Sequence, residues 1–174
     1  MANPVIRRAT VADASLISEL GARTFTETFA PDNSPANMTA YLAASFNPRQ
    51  QIAELSDPSA VFLIAEILGS ANGYAMLRAG PVPEAITGEN PIELVRLYVS
   101  QDAIGTGVGA ALIMDCLSES RRLGHKTIWL GVWERNHRAQ VFYRKWGFAE
   151  VGTHVFELGE DRQTDLLMQR SLFH

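Results

Sequence analysis

The fold is decided in the stretch Leu97-Tyr98-Val99-Ser100-Gln101-Asp102-Ala103-Ile104-Gly105-Thr106-Gly107-Val108-Gly109-Ala110-Ala111-Leu112, where a strand runs into alternating glycines and then into a helix. Glycines allow left-handed or crowded backbone angles, and without side chains they let amide N–H groups approach an anion closely. The helix that follows brings the positive end of its dipole to the same place. The stretch therefore predicts a phosphate site, with a plain glycine-rich turn as the alternative.

Two nucleotide-binding motifs compete for these glycines. In the dinucleotide fingerprint G-x-G-x-x-G, the third glycine would fall at Ala110 or Leu112. Alanine is tolerated there, but the fingerprint usually lies in an early βαβ unit, and no suitable partner acid stands out on a following strand. A Walker loop needs Gly-Lys-Ser/Thr at its end, which does not occur here. A nicotinamide-dependent oxidoreductase therefore fits these glycines less well.

A second helix carries its own pattern in the stretch Asn136-His137-Arg138-Ala139-Gln140-Val141-Phe142-Tyr143-Arg144-Lys145-Trp146-Gly147-Phe148. Asn136 and Tyr143 are two helical turns apart, so their side chains share a face and one ligand could touch both. Gly147 is expected to end the helix. The alternative makes Asn136 a helix cap and Tyr143 an ordinary aromatic at the edge of the core.

The rest of the chain alternates between strand and helix patterns. Strands are predicted at residues 5–6, 61–68, 74–78, 92–99, 127–133, 148–158 and 165–172, and helices at residues 10–21, 107–123 and 136–146. Residues 23–55 are predicted to be helical in pieces broken by prolines, with turns at 70–73 and 159–162 and a long loop over 80–91. No repeat, linker or low-complexity tract interrupts the chain, so we expect a single domain over residues 1–174.

Composition limits the class of protein and of partner. Apolar residues make up 47% of the 174-residue chain and charged residues 20%, as in soluble globular proteins. No run approaches the roughly 20 apolar residues that span a bilayer, and no secretory signal follows Arg7 and Arg8, so a cytoplasmic location is expected. A net charge of −4 gives no reason to expect a nucleic-acid or membrane partner and favours a cationic substrate.

The remaining polar residues suggest no further chemistry. Histidines 125, 137, 154 and 174 show no metal-binding spacing and no nearby acidic cluster, so no metal site is expected. Glu160, Asp161 and Asp165 are expected to be surface residues of a turn. The lone Cys116 is predicted to be buried in a helix, and no Ser-His-Asp arrangement occurs.

Both motif stretches resemble the GNAT (Gcn5-related N-acetyltransferase) superfamily. The glycine spacing resembles its acyl-CoA loop, R/Q-x-x-G-x-G/A, with Gly107 and Gly109 in the glycine positions and Ile104 in place of the Arg or Gln. The second stretch resembles its N-x-x-A-x-x-F-Y-x-x-x-G-F helix. The resemblance implies a mixed α/β fold: a central, mostly antiparallel sheet of about seven strands, with a parallel pair in the middle and helices on both faces.

The resemblance also implies an enzyme that transfers an acetyl group from acetyl-CoA, as co-substrate, to a primary amine of a small molecule. Tyr143 would protonate the coenzyme sulfur, since phenol and thiol pKa values, roughly 10 and 8.5, are not far apart. A backbone N–H near Val99 would polarise the thioester carbonyl. The residues implied in coenzyme binding are Leu97, Tyr98, Val99, Gly105, Thr106, Gly107, Val108, Gly109, Ala110, Asn136, Tyr143 and Lys145. Lys145 and Arg138 could instead form a solvated basic face.

A primary ammonium, with a pKa near 10.4, must lose a proton before it attacks. Glu93 is the predicted general base, because strand alternation would place it on one face with Val95, Leu97 and Val99. Related enzymes often place their acid at the position of Val95. A role through water, simple attraction of the cation, and an exposed strand carboxylate therefore stay open for Glu93.

Further stretches are similar to the Pai-type branch of spermidine and spermine acetyltransferases: Thr24–Phe29, Ile128–Glu134, Val155–Gly159 and Gln163–Asp165. They imply a polyamine as the acceptor. The alternative is a GNAT-like module that binds acyl-CoA as a sensor without catalysis. The oligomeric state is left open, with a homodimer among the options.

Overall fold

The computed structural model describes residues 2–173. Seven strands form one sheet in the order β1-β2-β3-β4-β5-β7-β6. They are β1 (Val5–Arg8), β2 (Ala60–Ile67), β3 (Ser70–Arg78), β4 (Pro91–Val99), β5 (Thr127–Trp133), β6 (Ala149–Leu158) and β7 (Asp161–Ser171). The helices are α1 (Ala14–Phe29), α2 (Pro35–Ser45), α3 (Pro48–Leu55), α4 (Val108–Arg122) and α5 (His137–Lys145). Neighbouring strands are antiparallel except for the parallel pair β4 and β5, which confirms the predicted fold class.

Helices cover both faces of the sheet, which explains why its inner strands are apolar on both sides. Alternation in β2 sends Leu63 and Ala65 towards the face of α4 and α5, and Phe62 and Ile64 towards the face of α1. Cys116 lies buried in the first of these cores, as predicted. No helix among residues 2–173 is long and apolar enough to cross a membrane.

The sheet opens between β4 and β5. These parallel strands pair only at Pro91–Thr127, Ile92–Ile128 and Glu93–Trp129 within the described chain. Beyond Glu93 the two strands continue to Val99 and Trp133 without pairing with each other. The resulting cleft leaves one backbone edge of β4 unpaired in the middle of the protein.

A β-bulge at Val95 reverses the face predicted for Glu93. The pairing of β4 with β3 skips Val95, so the side chains after it change face. Leu94, Leu97 and Val99 all pack towards α4, whereas Val95 packs towards α1. Glu93, next to Leu94, therefore faces α1. The prediction that it shares a face with Leu97 and Val99 is wrong, because simple alternation does not count the bulged residue.

Helix α1 passes through Gly21, where the sequence predicted its end, and continues to Phe29. A Cβ at Gly21 would come within 2.6 Å of the Phe46 ring and 2.8 Å of the Tyr74 hydroxyl oxygen. This glycine therefore serves close packing of the helix on its neighbours. Thr10 caps a short 3-10 turn that leads into α1.

Both hairpin turns are tighter than predicted. β2 and β3 are joined by Leu68 and Gly69, whose φ angles of 52° and 82° suit a two-residue turn, so residues 70–73 belong to β3. β6 and β7 are joined by Gly159 and Glu160, so β7 begins at Asp161. Asp165, predicted at the junction of a turn and the last strand, therefore lies well inside β7.

Candidate functional site

A cavity of about 580 Å³ opens where β4 and β5 diverge. On the face of α4 and α5 its lining includes the glycine turn and side chains of α5. On the face of α1 it includes aromatic and ionisable side chains of α1, α2, β6 and β7. The cavity is large enough for a ligand of drug size, and it reaches both faces of the sheet.

The glycine turn forms the first wall of this cavity. Gly105 and Gly107 have φ angles of 83° and 94°, which disfavour any other residue, and Gly107 is the N-cap of α4. The first N–H groups of a helix have no partners within it, and no side chain caps α4. These donors remain available for an anion such as a diphosphate, so the turn fits the predicted coenzyme.

Most residues predicted to bind the coenzyme line the cavity. They are Leu97, Tyr98, Val99, Gly105, Gly107, Gly109, Ala110, Asn136 and Tyr143. Thr106, Val108 and Lys145 are not among the lining residues. The Thr106 hydroxyl donates to the Ala103 carbonyl oxygen, and Val108 is buried in the core. Arg138 lines the cavity in place of Lys145.

Asn136 and Tyr143 lie on the cavity side of α5. Asn136 Oδ1 accepts the Ala139 N–H at 3.2 Å, so the residue also caps the helix. The Tyr143 side chain is 8% exposed, and its ring packs edge-on against Phe142 and Phe148. Burial raises the pKa of Tyr143, so its phenol stays protonated near neutral pH and can act as a donor.

Glu93 lines the cavity at the last paired position of β4, where the cleft begins. Its Oε1 lies 3.7 Å from Nη2 of Arg78, the residue opposite it on β3. Burial raises the pKa of Glu93, and the neighbouring Arg78 opposes that shift. The predicted base is therefore a largely buried carboxylate with a cationic partner.

His154 and Asp165 lie side by side in the structure, and the sequence did not predict this pairing. His154 and Asp165 are direct cross-strand neighbours on β6 and β7, with Nε2 and Oδ2 3.6 Å apart. Both line the cavity, and Asp165 lies within a strand, so the expectation that Asp165 belongs to a turn is wrong. The two-residue turn at Gly159 and Glu160 explains the error, because it starts β7 at Asp161, four residues before the predicted start of the last strand.

Gly131 leaves room for the side chains of His154 and Asp165, because it has no side chain of its own. It is the exposed position of the otherwise buried strand β5 and lines the cavity. A Cβ on Gly131 would come within 3.0 Å of His154 Nε2 and 3.1 Å of Asp165 Oδ2. A larger residue would therefore press on both ionisable groups.

An aromatic wall, consisting of Phe25, Phe29, Tyr41, Trp133 and Phe156, faces the same part of the cavity. Phe25 stacks on Phe29 at 4.2 Å and on Tyr41 at 4.5 Å between ring centroids. Phe29 lies 5.0 Å from Trp133. Aromatic faces beside carboxylates suit a ligand with an apolar stem and a cationic end.

We expect Asp165→Asn to stabilise the protein at alkaline pH. Burial raises the pKa of Asp165 to about 6, above its unfolded value of about 3.9. The folded state holds this proton more tightly, so the stability that it contributes is full below about pH 4 and is lost as the pH rises through 6. The variant should gain about 2 to 3 kcal/mol in free energy of unfolding at pH 8 and little at pH 4. Urea denaturation at both pH values measures this gain.

The control for this stability measurement is Glu157→Gln, which removes an exposed carboxylate from β6. It should change the free energy of unfolding by less than about 0.5 kcal/mol at either pH. An Asp165→Asn protein that is no more stable than wild type at pH 8 would contradict the raised pKa.

Comparison with known proteins identifies the chain. Residues 22–148 match the model of the Acetyltransferase (GNAT) family. The chain belongs to the GNAT family. An uncharacterized N-acetyltransferase of Lactobacillus delbrueckii subsp. lactis is 33% identical over 149 residues, 86% of each chain. One of Mycobacterium tuberculosis is 34% identical over 160 residues, 92% of this chain and 98% of the relative.

The GNAT fold is also found by structural comparison. The crystal structure of the PaiA N-acetyltransferase of Thermoplasma acidophilum in complex with coenzyme A superposes with a TM-score of 0.78 at 20% identity, covering 97% of this chain and 99% of that one. Family and fold confirm the predicted resemblance, and the chain is an acetyl-CoA-dependent N-acetyltransferase. Residues 2–173 contain no cluster of three or more His, Cys, Asp or Glu that could hold a metal, and His174 lies outside the described residues.

Proposed function

We propose that this GNAT enzyme acetylates the primary amine of a small cationic molecule, with spermidine and spermine as the leading candidates. One observation carries the proposal: a single cavity joins the glycine turn on one face of the sheet to an acidic, aromatic pocket on the other. The opening between β4 and β5 connects the two parts. An acyl donor and an amine can therefore meet from opposite faces.

The glycine turn and β4 provide the features that a coenzyme needs. The uncapped N–H groups at the start of α4 suit the diphosphate. The edge of β4 over Leu97–Val99 is unpaired towards β5, so its backbone groups are free to bond the amides of the pantetheine arm. A backbone N–H near Val99 would polarise the thioester carbonyl.

Tyr143 is proposed as the general acid. It lines the cavity on the same face as the glycine turn, and burial keeps its phenol protonated. When the amine nitrogen attacks the acetyl carbon and the carbon–sulfur bond breaks, the phenol donates its proton to the departing sulfur. The attacking nitrogen then still carries one proton too many for an amide, and it loses this proton to water as the amide forms. The phenol takes a proton back from water, so, counted from the ammonium, one proton is released overall for each acetyl group transferred.

The acceptor part of the cavity combines apolar and acidic groups. The aromatic wall would enclose the carbon stem of an amine, and its ring faces would favour the cationic end. Glu93 lies at the start of the cleft, where its carboxylate would attract the ammonium towards the thioester. The net charge of −4 adds a weak attraction for polyamines.

An amine panel tests the proposed function. The purified protein is incubated with acetyl-CoA and spermidine, spermine, 1,4-diaminobutane, butylamine or free amino acids, and thiol release is measured. We expect release with the aliphatic amines and faster release with polyamines. Activity confined to amino acids, antibiotics or protein N-termini would contradict the polyamine assignment. Binding of acetyl-CoA in a calorimeter without turnover of any amine would instead support the sensor.

A further inference from the structure

We propose that Asp165 accepts the proton lost by the acceptor amine and that His154 passes this proton to solvent. The inference rests on the proposed acetyl transfer to an amine. In this step one N–H bond of the ammonium breaks, its electron pair stays on nitrogen, and the proton binds a carboxylate oxygen of Asp165. The proton then moves to a ring nitrogen of His154 and on to water, while the neutral amine attacks the thioester.

The geometry of the pair suits a proton exit. The two residues face each other across the β6–β7 ladder, with Nε2 and Oδ2 3.6 Å apart. This is an ion-pair separation, so a small rotation of either side chain must form the hydrogen bond through which the proton passes. The Asp165 side chain is 13% exposed, whereas the His154 side chain is 42% exposed. Asp165 therefore lies where a substrate would be desolvated, and His154 joins it to water.

The position of the pair places proton removal and proton delivery on opposite faces of the sheet. Asp165 of β7 is paired with Trp133 of β5, so the two side chains lie on the same face of the sheet. Trp133 packs on Phe29 of α1, which identifies this face as that of α1. Tyr143 packs in the core on the face of α4. The absence of a side chain at Gly131 keeps the cavity open in front of Asp165. An amine bound beside Asp165 on the face of α1 would therefore reach the thioester through the gap between β4 and β5. It would approach from the face opposite Tyr143.

Asp165 suits this role better than Glu93 because of the charges around each. Glu93 has a permanent cation, Arg78, as its ion-pair partner, which favours its charged form. Asp165 lies beside His154 of β6 and near Tyr41 of α2. Glu93 of β4 lines the same cavity, and the cavity residues of α1 and β5 are not ionisable. Arg96 of β4 is held by Glu54. Burial then raises the pKa of Asp165 to about 6, closer to that of an amine.

The test uses Asp165→Asn with acetyl-CoA and the amine of the panel that wild type acetylates fastest. We expect kcat/KM at pH 7 to fall roughly a hundredfold. The deficit should shrink towards pH 9.5, because each unit of pH supplies about ten times more neutral amine until the amine pKa is reached. Affinity for acetyl-CoA should stay at the wild-type value. The control Glu157→Gln should keep the wild-type rate at each pH.

A deficit that is constant over the pH range, or one that follows lost coenzyme affinity, would indicate a structural role and overturn the proposal. A pH-dependent deficit in Glu93→Gln with a normal rate in Asp165→Asn would assign the base to Glu93 and overturn it as well. The rate of His154→Ala should fall less than that of Asp165→Asn, and added imidazole should restore part of it. A wild-type rate in His154→Ala would overturn the proposed proton relay from Asp165 through His154 to water. If wild type acetylates no amine, the proposed function fails together with the relay, whereas an active wild type beside an equally active Asp165→Asn refutes the relay alone.

Discussion

Tyr143→Phe is expected to lower kcat by about 10³-fold while the affinity for acetyl-CoA stays close to that of wild type. The substitution removes one oxygen atom and keeps the ring that packs against Phe142 and Phe148. Binding and folding should therefore change little, whereas the departing sulfur loses its proton donor. Thiol release measured beside calorimetric titration of acetyl-CoA separates the two effects.

The matched control for Tyr143→Phe is Tyr74→Phe. Tyr74 of β3 is buried as well, but it lies in the core on the opposite face and is not among the residues that line the cavity. Its loss of a hydroxyl should leave kcat at the wild-type value. An unchanged kcat in Tyr143→Phe, or a fall that parallels weaker acetyl-CoA binding, would contradict the role of the phenol as acid.

The elements that depend on local sequence were predictable. The spacing of Gly105, Gly107 and Gly109 predicted the start of α4, because a positive φ and a helix N-terminus are properties of neighbouring residues. Asn136 and Tyr143 were placed on one helical face by the period of the helix alone. Both of these side chains line the cavity.

The acceptor part of the cavity was not predictable in the same way. Its residues come from six elements spread along the chain, α1, α2, β4, β5, β6 and β7, and the faces of the strand residues depend on strand pairing. One bulged residue, Val95, changed the face assigned to Glu93, and a turn shorter than predicted moved the start of the last strand from Asp165 to Asp161. If the sequence had been read with a two-residue turn at Gly159 and Glu160, the strand register would have placed His154 opposite Asp165. That turn was the one local signal that could have found the pair.

The second large effect concerns stability rather than chemistry. Arg96 of β4 and Glu54 of α3 form a two-pronged ion pair, with N–O distances of 2.9 and 3.0 Å. Their side chains are only 12% and 11% exposed, and the Arg96 guanidinium lies over the Phe46 ring. The pair connects α3 to β4, the strand that lines the centre of the cavity. It thereby also holds in place the segment that joins α2 to α3. Removing one partner would leave a buried, uncompensated charge.

We therefore expect Glu54→Gln to lower the free energy of unfolding by about 3 kcal/mol. The control is Glu89→Gln, which breaks an ion pair with Lys126 of the same 3.0 Å length on the surface and should lower it by less than about 1 kcal/mol. The double variant Glu54→Leu/Arg96→Met should recover much of the loss, because an apolar pair of similar size leaves no unpaired charge. Urea denaturation of the four proteins measures these differences. Equal losses in the two single Glu→Gln variants would show that neither burial nor the second N–O contact strengthens the Arg96–Glu54 pair relative to the surface pair.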